Sequence, residues 1–351
     1  MERTLSEPLV SVVIPVFNAL PYLDRALESL VEQTYPNIEV IAVDDGSTDS
    51  SSDTLARWAI RDRRIRVLKQ GRAGFVRALK NGCAAARGTY LARLDADDVA
   101  LTDRIERQVE HLESNPNVAL LGGAAIFLDD TGKPFVTVGY PSRHEDLVDA
   151  LETSCPFVHS AVIMRTRAFR AVGGYREIFP RGEDYDLWLR LSERFTNANL
   201  EEPVVGYRIH ARQTTLATLD DQARWSLIAH GAHQARIKLG RDPVDGKPGA
   251  SWRDLCVELG IEDSQVTRAR IDARVWYAKT LTRSGALAAA DAVWVEAHRL
   301  AVALPDGGRI HADIAKIRAS VEKERHRGRS RLGSRINRIA GRLVRLRQST
   351  P

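Results

Sequence analysis

Residues 38–49 read IEVIAVDDGSTD. The opening run is apolar but for Glu39 and rich in β-branched side chains, the composition of a strand buried on both faces. It stops on two carboxylates, Asp44 and Asp45, followed by a turn. The pattern recurs on either side. Leu9–Val16 (LVSVVIPV) is a second continuous apolar run, and IRVL (65–68) and TYLARL (89–94) are shorter ones. Between them Leu20, Leu23, Leu27 and Leu30 fall at helical spacing, residues 50–60 make a second helical segment, and GFVRALKNGCAAARG (74–88) predicts an alanine-rich helix ended by Gly88. Short strands alternating with helices predict βαβ units, hence an α/β fold with a mostly parallel sheet. In such sheets ligands sit beyond the carboxyl ends of the strands. Asp44–Asp45 fall there, and so do the aspartates of YLARLDADDV (90–99).

That second stretch packs Asp95, Asp97 and Asp98 into four positions, and each like charge raises the cost of ionising its neighbours. Two readings compete. A hard divalent cation, Mg²⁺ or Mn²⁺, takes carboxylate oxygens; alternatively, a solvated turn uses an aspartate to cap the following helix. Placement at a strand end, facing a second acidic strand end, favours the cation.

Further along, the spacing predicts a helix over 103–114, strands within 118–141 with a turn at Asp129–Lys133, a strand over 157–165, a short helix and turn over 166–175, and an amphipathic helix over 182–195 that opens on acids. PVVGYRIH (203–210) predicts a last strand ending on His210. From about Gln213 onward only helical patterns remain. Residues 271–303 read as two helices joined near Ser284–Gly285, with small residues Ala278, Gly285 and Ala289 spaced like one tetratricopeptide-type hairpin. A single such unit cannot bury its faces, so an ordinary helical extension is the preferred reading.

The 351-residue chain is 44 % hydrophobic and 28 % charged, an ordinary globular composition. Its three cysteines, Cys83, Cys155 and Cys256, form no C-x-x-C pair, which argues against zinc and a disulfide framework and suits a reducing cytoplasm. No apolar leader and no run approaching eighteen apolar residues is visible, so neither a signal peptide nor a spanning helix is expected. Residues 323–351 carry ten Lys/Arg and one acid, a net of +9, leaving −4 on the remainder of a chain whose total is +5. The main body is therefore not a nucleic-acid binder by charge.

Dinucleotide and P-loop fingerprints are missing: neither G-x-G-x-x-G nor G-x-x-x-x-G-K-[ST] follows a strand. A nucleotide can still bind where Asp44 accepts from a base or ribose and the Gly46–Ser47–Thr48 turn offers N–H groups. Asp49 reads as a helix start. Taken in order, VSVVIPVFNALPYLDRALESLVEQTYPNIEVIAVDDGSTDSS, LDADD, GEDYDLWLR and YRIH resemble family 2 glycosyltransferases of the GT-A fold over about residues 9–215. The resemblance implies an inverting, hexosyltransferase-type enzyme using a nucleotide-sugar, a UDP-sugar being the first expectation, and a saccharide or lipid-linked acceptor. Pro15, Val16, Phe17 and Asn18 then fall on the nucleotide-binding first loop and Asp44 on the acid that meets the base. Asp95 and Asp97 form the D-x-D element, with Asp97 on Mn²⁺ or Mg²⁺ and Asp95 on the ribose or the metal's water shell. Asp98 takes a helix cap or a role behind the metal. Asp184 matches the catalytic base, Glu183 an acceptor-orienting acid, His159 the acceptor side, and His210 a position near the diphosphate or metal. QARW (222–225) falls one residue short of the Q-x-x-R-W of processive synthases, and Trp225 reads as a helix core residue. A nucleotidyltransferase and a non-catalytic nucleotide-sugar binder are the competing classes; the first lacks its glycine- and lysine-rich loop, and the intact acids speak against the second.

These readings divide the chain into a GT-A domain (1–215), a helical region (216–322) and a basic amphipathic tail (323–351). In the tail Leu332, Ile336, Ile339, Leu343 and Leu346 share one helical stripe flanked by arginines. Such a helix fits the anionic inner face of a plasma membrane, or else packs on the chain's own acidic body or on a second subunit.

Overall fold

The computed structural model describes residues 7–210 and 213–331; the tail stripe lies outside them. Contacts divide the chain into two compact units, Met1–Ile126 with Thr137–Tyr207, and Phe127–Val136 with Arg208–Pro351.

The fold is mixed α/β around one curled sheet. Its strands are β1 (Val10–Val16), β2 (Ile38–Asp44), β3 (Ile65–Lys69), β4 (Tyr90–Arg93), β5 (Val99–Ala100), β6 (Val118–Leu128), β7 (Pro134–Val138), β8 (Ile163–Arg165) and β9 (Thr196–Arg208). They run in the order β3-β2-β1-β4-β8-β6-β9-β5, with β7 on β6. The first four are mutually parallel; β8 is antiparallel to both β4 and β6, and β5 to β9. The flanking helices are α1 (Leu23–Val31), α2 (Ser51–Arg61), α3 (Phe75–Ala85), α4 (Arg104–Ser114), α5 (His144–Leu151), α6 (Thr166–Ala171) and α7 (Glu183–Ser192). Every residue of β1 and β2 is buried, as their unbroken apolar runs require.

The polar exception in β2 has a reason. Glu39 is buried and accepts from the Ser11 hydroxyl (2.7 Å), Arg66 Nη1 (2.9 Å), and the backbone N (2.9 Å), Nε (3.0 Å) and Nη2 (2.7 Å) of Arg87. Burial works against its charge, but these bonds outweigh it and hold its pKa down at about 2. The Arg87 loop explains Gly88 differently from its expected role as a helix stop. The helix α3 already ends at Ala85, and a Cβ on Gly88 would come within 2.7 Å of Leu9 O, Ser11 N and Tyr90 O. Gly88 is needed for close backbone approach between β1 and β4.

Three other expectations change. The segment 157–165 is not one strand: a 3₁₀ turn occupies His159–Ala161 before β8 begins. The last strand starts earlier, at Thr196, and stops at Arg208, two residues short of His210. Helix α5 carried no signal that the spacing argument used.

The second unit is helical, with α8 (Thr214–Ala217), α9 (Leu219–Leu239), α10 (Trp252–Leu259), α11 (Asp263–Ser284), α12 (Leu287–Ala301) and α13 (Gly307–Arg331). As expected, α11 and α12 are joined at Gly285, which adopts φ 95°. Asp220 on α9 clamps α11 by accepting from Arg270 Nε (2.8 Å) and Nη2 (2.6 Å) and from Arg274. Trp225 is a buried residue of α9. Among the described residues no helix is long and apolar enough to cross a membrane.

Glu39 yields the first prediction. Its pKa is depressed by folding, so its contribution is present above the unfolded value near 4.5 and is lost as pH falls toward 2. Glu39→Gln should lower the unfolding free energy by about 2 kcal/mol at pH 7, below the cost for a fully buried pair because Arg66 and Arg87 reach solvent. Urea denaturation should show the gap between wild type and variant closing between about pH 4.5 and 2.

Candidate active site

Strand register gathers the acidic ends. Val16 lies opposite Asp44, Asp44 opposite Lys69, and Val13 opposite Arg93, which carries Asp95 to the level of Pro15. Pro15 and Val16 close β1, and Phe17 and Asn18 follow. Asn18 adopts φ 49°, a left-handed conformation that asparagine tolerates better than most residues. There its Oδ1 accepts from Thr48 N (2.8 Å) and Asp49 N (3.2 Å), while its own N donates to Ser47 Oγ (3.2 Å). Ser47 N donates to Asp44 Oδ1 (3.0 Å). The N–H groups of Ser47 and Thr48, expected to await a ligand, thus build the loop itself. Asp49 starts α2 by accepting from Ser51 N (2.9 Å).

Asp44 is buried at the base of this loop. Burial opposes its ionisation, but donation from Ser52 and Ser47 lowers its pKa overall. Its neighbour Asp45 turns to the loop after β3, accepting from Gln70 Nε2 (2.8 Å), Arg72 Nη1 (2.6 Å), Ala73 N (2.8 Å) and Gly74 N (3.0 Å). Thus anchored, the Arg72 guanidinium lies over the half-exposed Phe17 ring, 3.3 Å from its centre.

The aspartate cluster is a turn into β5, and no helix starts there. Asp98 is buried, and its N donates to Asp95 O (3.2 Å); the next helix begins only at Arg104, so the capping role expected for Asp98 is ruled out. Asp95, Asp97 and Asp98 each present a carboxylate oxygen within 4.8 Å of the others. Two buried arginines that the motif reading missed lie beneath them. Arg93 Nη1 pairs with Asp95 Oδ1 (2.6 Å). Arg104, fully buried, donates from Nη2 to Arg93 O (2.9 Å) and Val162 O (3.0 Å), and its pKa is pushed down to about 9 by burial and by Arg93. One signal was legible: Arg93 is the only charge inside the apolar strand TYLARL.

The turn His159–Ala161 joins this cluster to the acids of α7. The Ser160 hydroxyl donates to Asp95 Oδ2 (2.9 Å) and its oxygen accepts from Asp95 N (3.0 Å). The adjacent His159 places Nδ1 3.9 Å from Glu183 Oε1 and 4.0 Å from Asp184 Oδ2, and Nε2 2.7 Å from the Tyr175 hydroxyl. Trp188 and Phe75 pack edge-on against the His159 ring. Burial, reinforced by the charge of Arg93, drives the His159 pKa well below the ordinary 6.5. Glu183 and Asp184 open α7 after Gly182 (φ 67°). Burial raises the pKa of both, and the proximity of Asp184 adds to the effect on Glu183. Asp186, one turn into α7, is buried between Arg176 and Arg190; Arg190 also donates to Gly174 O (2.7 Å), fixing the turn that presents Tyr175. His210 is buried and belongs to the second unit.

Residues 11–173 match the family model described as glycosyl transferase family 2. An uncharacterized glycosyltransferase of Haemophilus influenzae is 32 % identical over 247 residues, covering 68 % of this chain and 73 % of the relative. The chain belongs to glycosyltransferase family 2. Another relative, the amylovoran biosynthesis glycosyltransferase AmsE of Erwinia amylovora, is 30 % identical over 66 % of this chain and 86 % of its own. The fold is shared with the mannosyltransferase PcManGT of Pyrobaculum calidifontis, solved with GDP-Man and Mn²⁺ (TM-score 0.52, 21 % identity, 91 % and 87 % coverage). It is also shared with S. aureus TarS solved with UDP-GlcNAc (TM-score 0.52, 15 % identity, 91 % and 92 % coverage).

For this family 2 glycosyltransferase the donor set tests the metal expectation directly. Three clustered carboxylates form an all-oxygen, anionic site of the kind that Mg²⁺ and Mn²⁺ occupy, so the residues fit a divalent cation. On the other side of the His159–Ser160 turn lies a carboxylate pair whose burial makes it a better proton acceptor near neutral pH than an ordinary aspartate.

His159 should therefore stay neutral well into the acid range. In ¹⁵N-histidine spectra its ring nitrogens should keep neutral-imidazole shifts at pH 6, and a midpoint near 6.5 would contradict the burial argument.

Proposed function

We propose that this family 2 glycosyltransferase moves one hexose-type sugar per event from a nucleotide-diphospho-sugar to an acceptor hydroxyl, in a metal-dependent reaction that inverts the anomeric carbon. The observation that carries this reading is the single turn His159–Ser160: one of its residues is bonded to the aspartate cluster and the next faces Glu183 and Asp184. A two-part site of this kind suits a reaction that must hold a diphosphate leaving group and deprotonate an incoming hydroxyl at once.

Pro15, Val16, Phe17, Asn18 and Asp44 are assigned to the donor nucleotide, with Asp44 held ionised to accept from base or ribose. Asp97 and Asp95 would hold Mn²⁺ or Mg²⁺, whose charge offsets the negative charge growing on the departing diphosphate. Asp184 takes the proton from the acceptor hydroxyl, and neutral His159 together with Glu183 orients that hydroxyl. Asp184 sits in the first turn of α7, where the helix N-terminus favours its carboxylate. Attack from the side opposite the diphosphate inverts the configuration. The AmsE relationship and the GDP-Man and UDP-GlcNAc complexes of the structural neighbours support a nucleotide-sugar donor and a place in surface polysaccharide or lipid-linked glycan assembly. We assign the transfer chemistry to residues 1–215, a supporting role to 216–322, and contact with an anionic membrane surface to 323–351.

Two outcomes are expected. Asp97→Ala should abolish transfer with the circular dichroism spectrum unchanged, and excess EDTA should do the same to wild type; full turnover in EDTA would refute the metal requirement. Asp184→Asn should keep donor binding and lower kcat by ~10²-fold or more. Because burial raises the Asp184 pKa, wild-type kcat should fall on the acid side at a pH above an aspartate's usual 3.8, and this limb should be missing from the residual activity of Asp184→Asn.

A further inference from the structure

Arg93 is 2 % exposed, yet only one end of its guanidinium is satisfied. Nη1 donates to Asp95 Oδ1 (2.6 Å) and Ser160 Oγ (3.4 Å), whereas Nε and Nη2 make no hydrogen bond. The face of Phe75, 5.2 Å from Cζ, is the aromatic surface against it. Unpaired N–H groups on a buried cation cost free energy, and a buried ion pair can often be replaced by apolar side chains without loss of stability. Packing alone therefore gives no reason for arginine here. What the arginine achieves is local. The Asp95 carboxylate is held at both oxygens by buried groups, Oδ1 by Arg93 and Oδ2 by the Ser160 hydroxyl, while Ser160 Oγ also accepts from Asp95 N. That three-point grip leaves Asp95 one orientation, although 29 % of its side chain stays accessible.

We propose that Arg93 is a positioning residue of the transfer reaction: with Ser160 as the bridge, it locks the Asp95 carboxylate in the one orientation that receives the donor's metal-bound diphosphate. This rests on the functional reading above and extends it to a residue that does not itself touch the donor. Lysine at position 93 keeps the charge but loses the fork, methionine keeps the apolar volume but loses the charge, and Ser160→Ala removes only the bridge.

The test is calorimetric titration of UDP and GDP, each with Mn²⁺ and with Mn²⁺ alone as control, into wild type, Arg93→Met, Arg93→Lys and Ser160→Ala, with melting temperatures measured alongside. These are the nucleotides of the donors bound by the structural neighbours. Arg93→Met leaves Asp95 without its buried partner and should melt lower than wild type, yet the folded variant should bind the preferred nucleotide at least 10-fold more weakly; Arg93→Lys should recover most of the affinity, and Ser160→Ala should lose a few-fold. Wild-type affinity in Arg93→Met, or equal loss in the lysine and methionine variants, overturns the proposal in favour of a purely structural arginine. Should Arg93→Met fail to fold, Ser160→Ala decides: unchanged affinity refutes the grip. Binding of neither nucleotide by wild type would instead strike down the nucleotide-sugar reading, and this inference with it.

Discussion

Three aspartates within four residues repel one another, and the ion pair between Arg93 and Asp95 is what lets the fold hold them at the end of β4. Arg104 adds a second buried positive charge behind the turn, tied to the backbone of β4 and of Val162, just after the 159–161 turn. In a poorly solvated interior these charges act on one another far more strongly than they would in water. The two guanidiniums repel each other as well, which is part of why the Arg104 pKa falls to about 9. The cluster is thus a balanced set of charges of both signs. Asp95 and Asp97 keep partial exposure, whereas Asp98, Arg93 and Arg104 are buried. Everything downstream hangs on that arrangement, because the Ser160 turn is hydrogen-bonded to Asp95 and His159 is aligned by the same turn.

Much of the parallel half was legible in the sequence. Buried parallel strands leave an unbroken apolar signature, and β1 and β2 carry one. Their register then follows from the fold class, and with it the convergence of Asp44 and Asp95. The motif resemblance also named Asp97, Glu183, Asp184 and His159, which the structure groups around Asp95 and the 159–161 turn. What stayed hidden was nonlocal. The 157–165 segment has the composition of a strand, but its first half is bent into a turn by partners at Asp95, far away in sequence, and tertiary contacts outweigh propensity there. Asp98 carries a local cap signal, but it is buried in the turn before β5. Arg93 and Arg104 escaped because a charged residue next to a motif is usually solvated; only its place inside an apolar strand marked Arg93. Gly88 looked like a helix stop because a missing Cβ serves a left-handed cap and a close backbone approach equally well.

The buried charges of this sheet are divided by task. Glu39 sits near the start of β2, about 16 Å along the strand from Asp44 at the usual rise per residue. There its arginine partners reach solvent, and its contribution is to stability. Asp44, Asp45 and Asp95 sit at the strand ends, where each fixes a loop. Asp45 illustrates the second kind: it holds the loop after β3, and through Arg72 it holds the guanidinium against Phe17. The helical unit uses the same device at Asp220, where one carboxylate receives two arginines from α11.

The order of strands has a consequence for how the chain is made. The neighbours of β4 are β1, synthesised long before it, and β8, which pairs Ala92 with Ile163 about seventy residues later. At usual translation speeds of about 5–20 residues per second, β8 follows β4 from the ribosome by roughly 4–14 s. Through that interval the nascent chain carries its aspartates without Ser160 to orient them, and an unpaired β4 edge available to any other strand. Ribosome-bound chains stalled before residue 160 should thus be the species that depends most on chaperones, and the site should acquire its geometry only when the 159–165 segment docks.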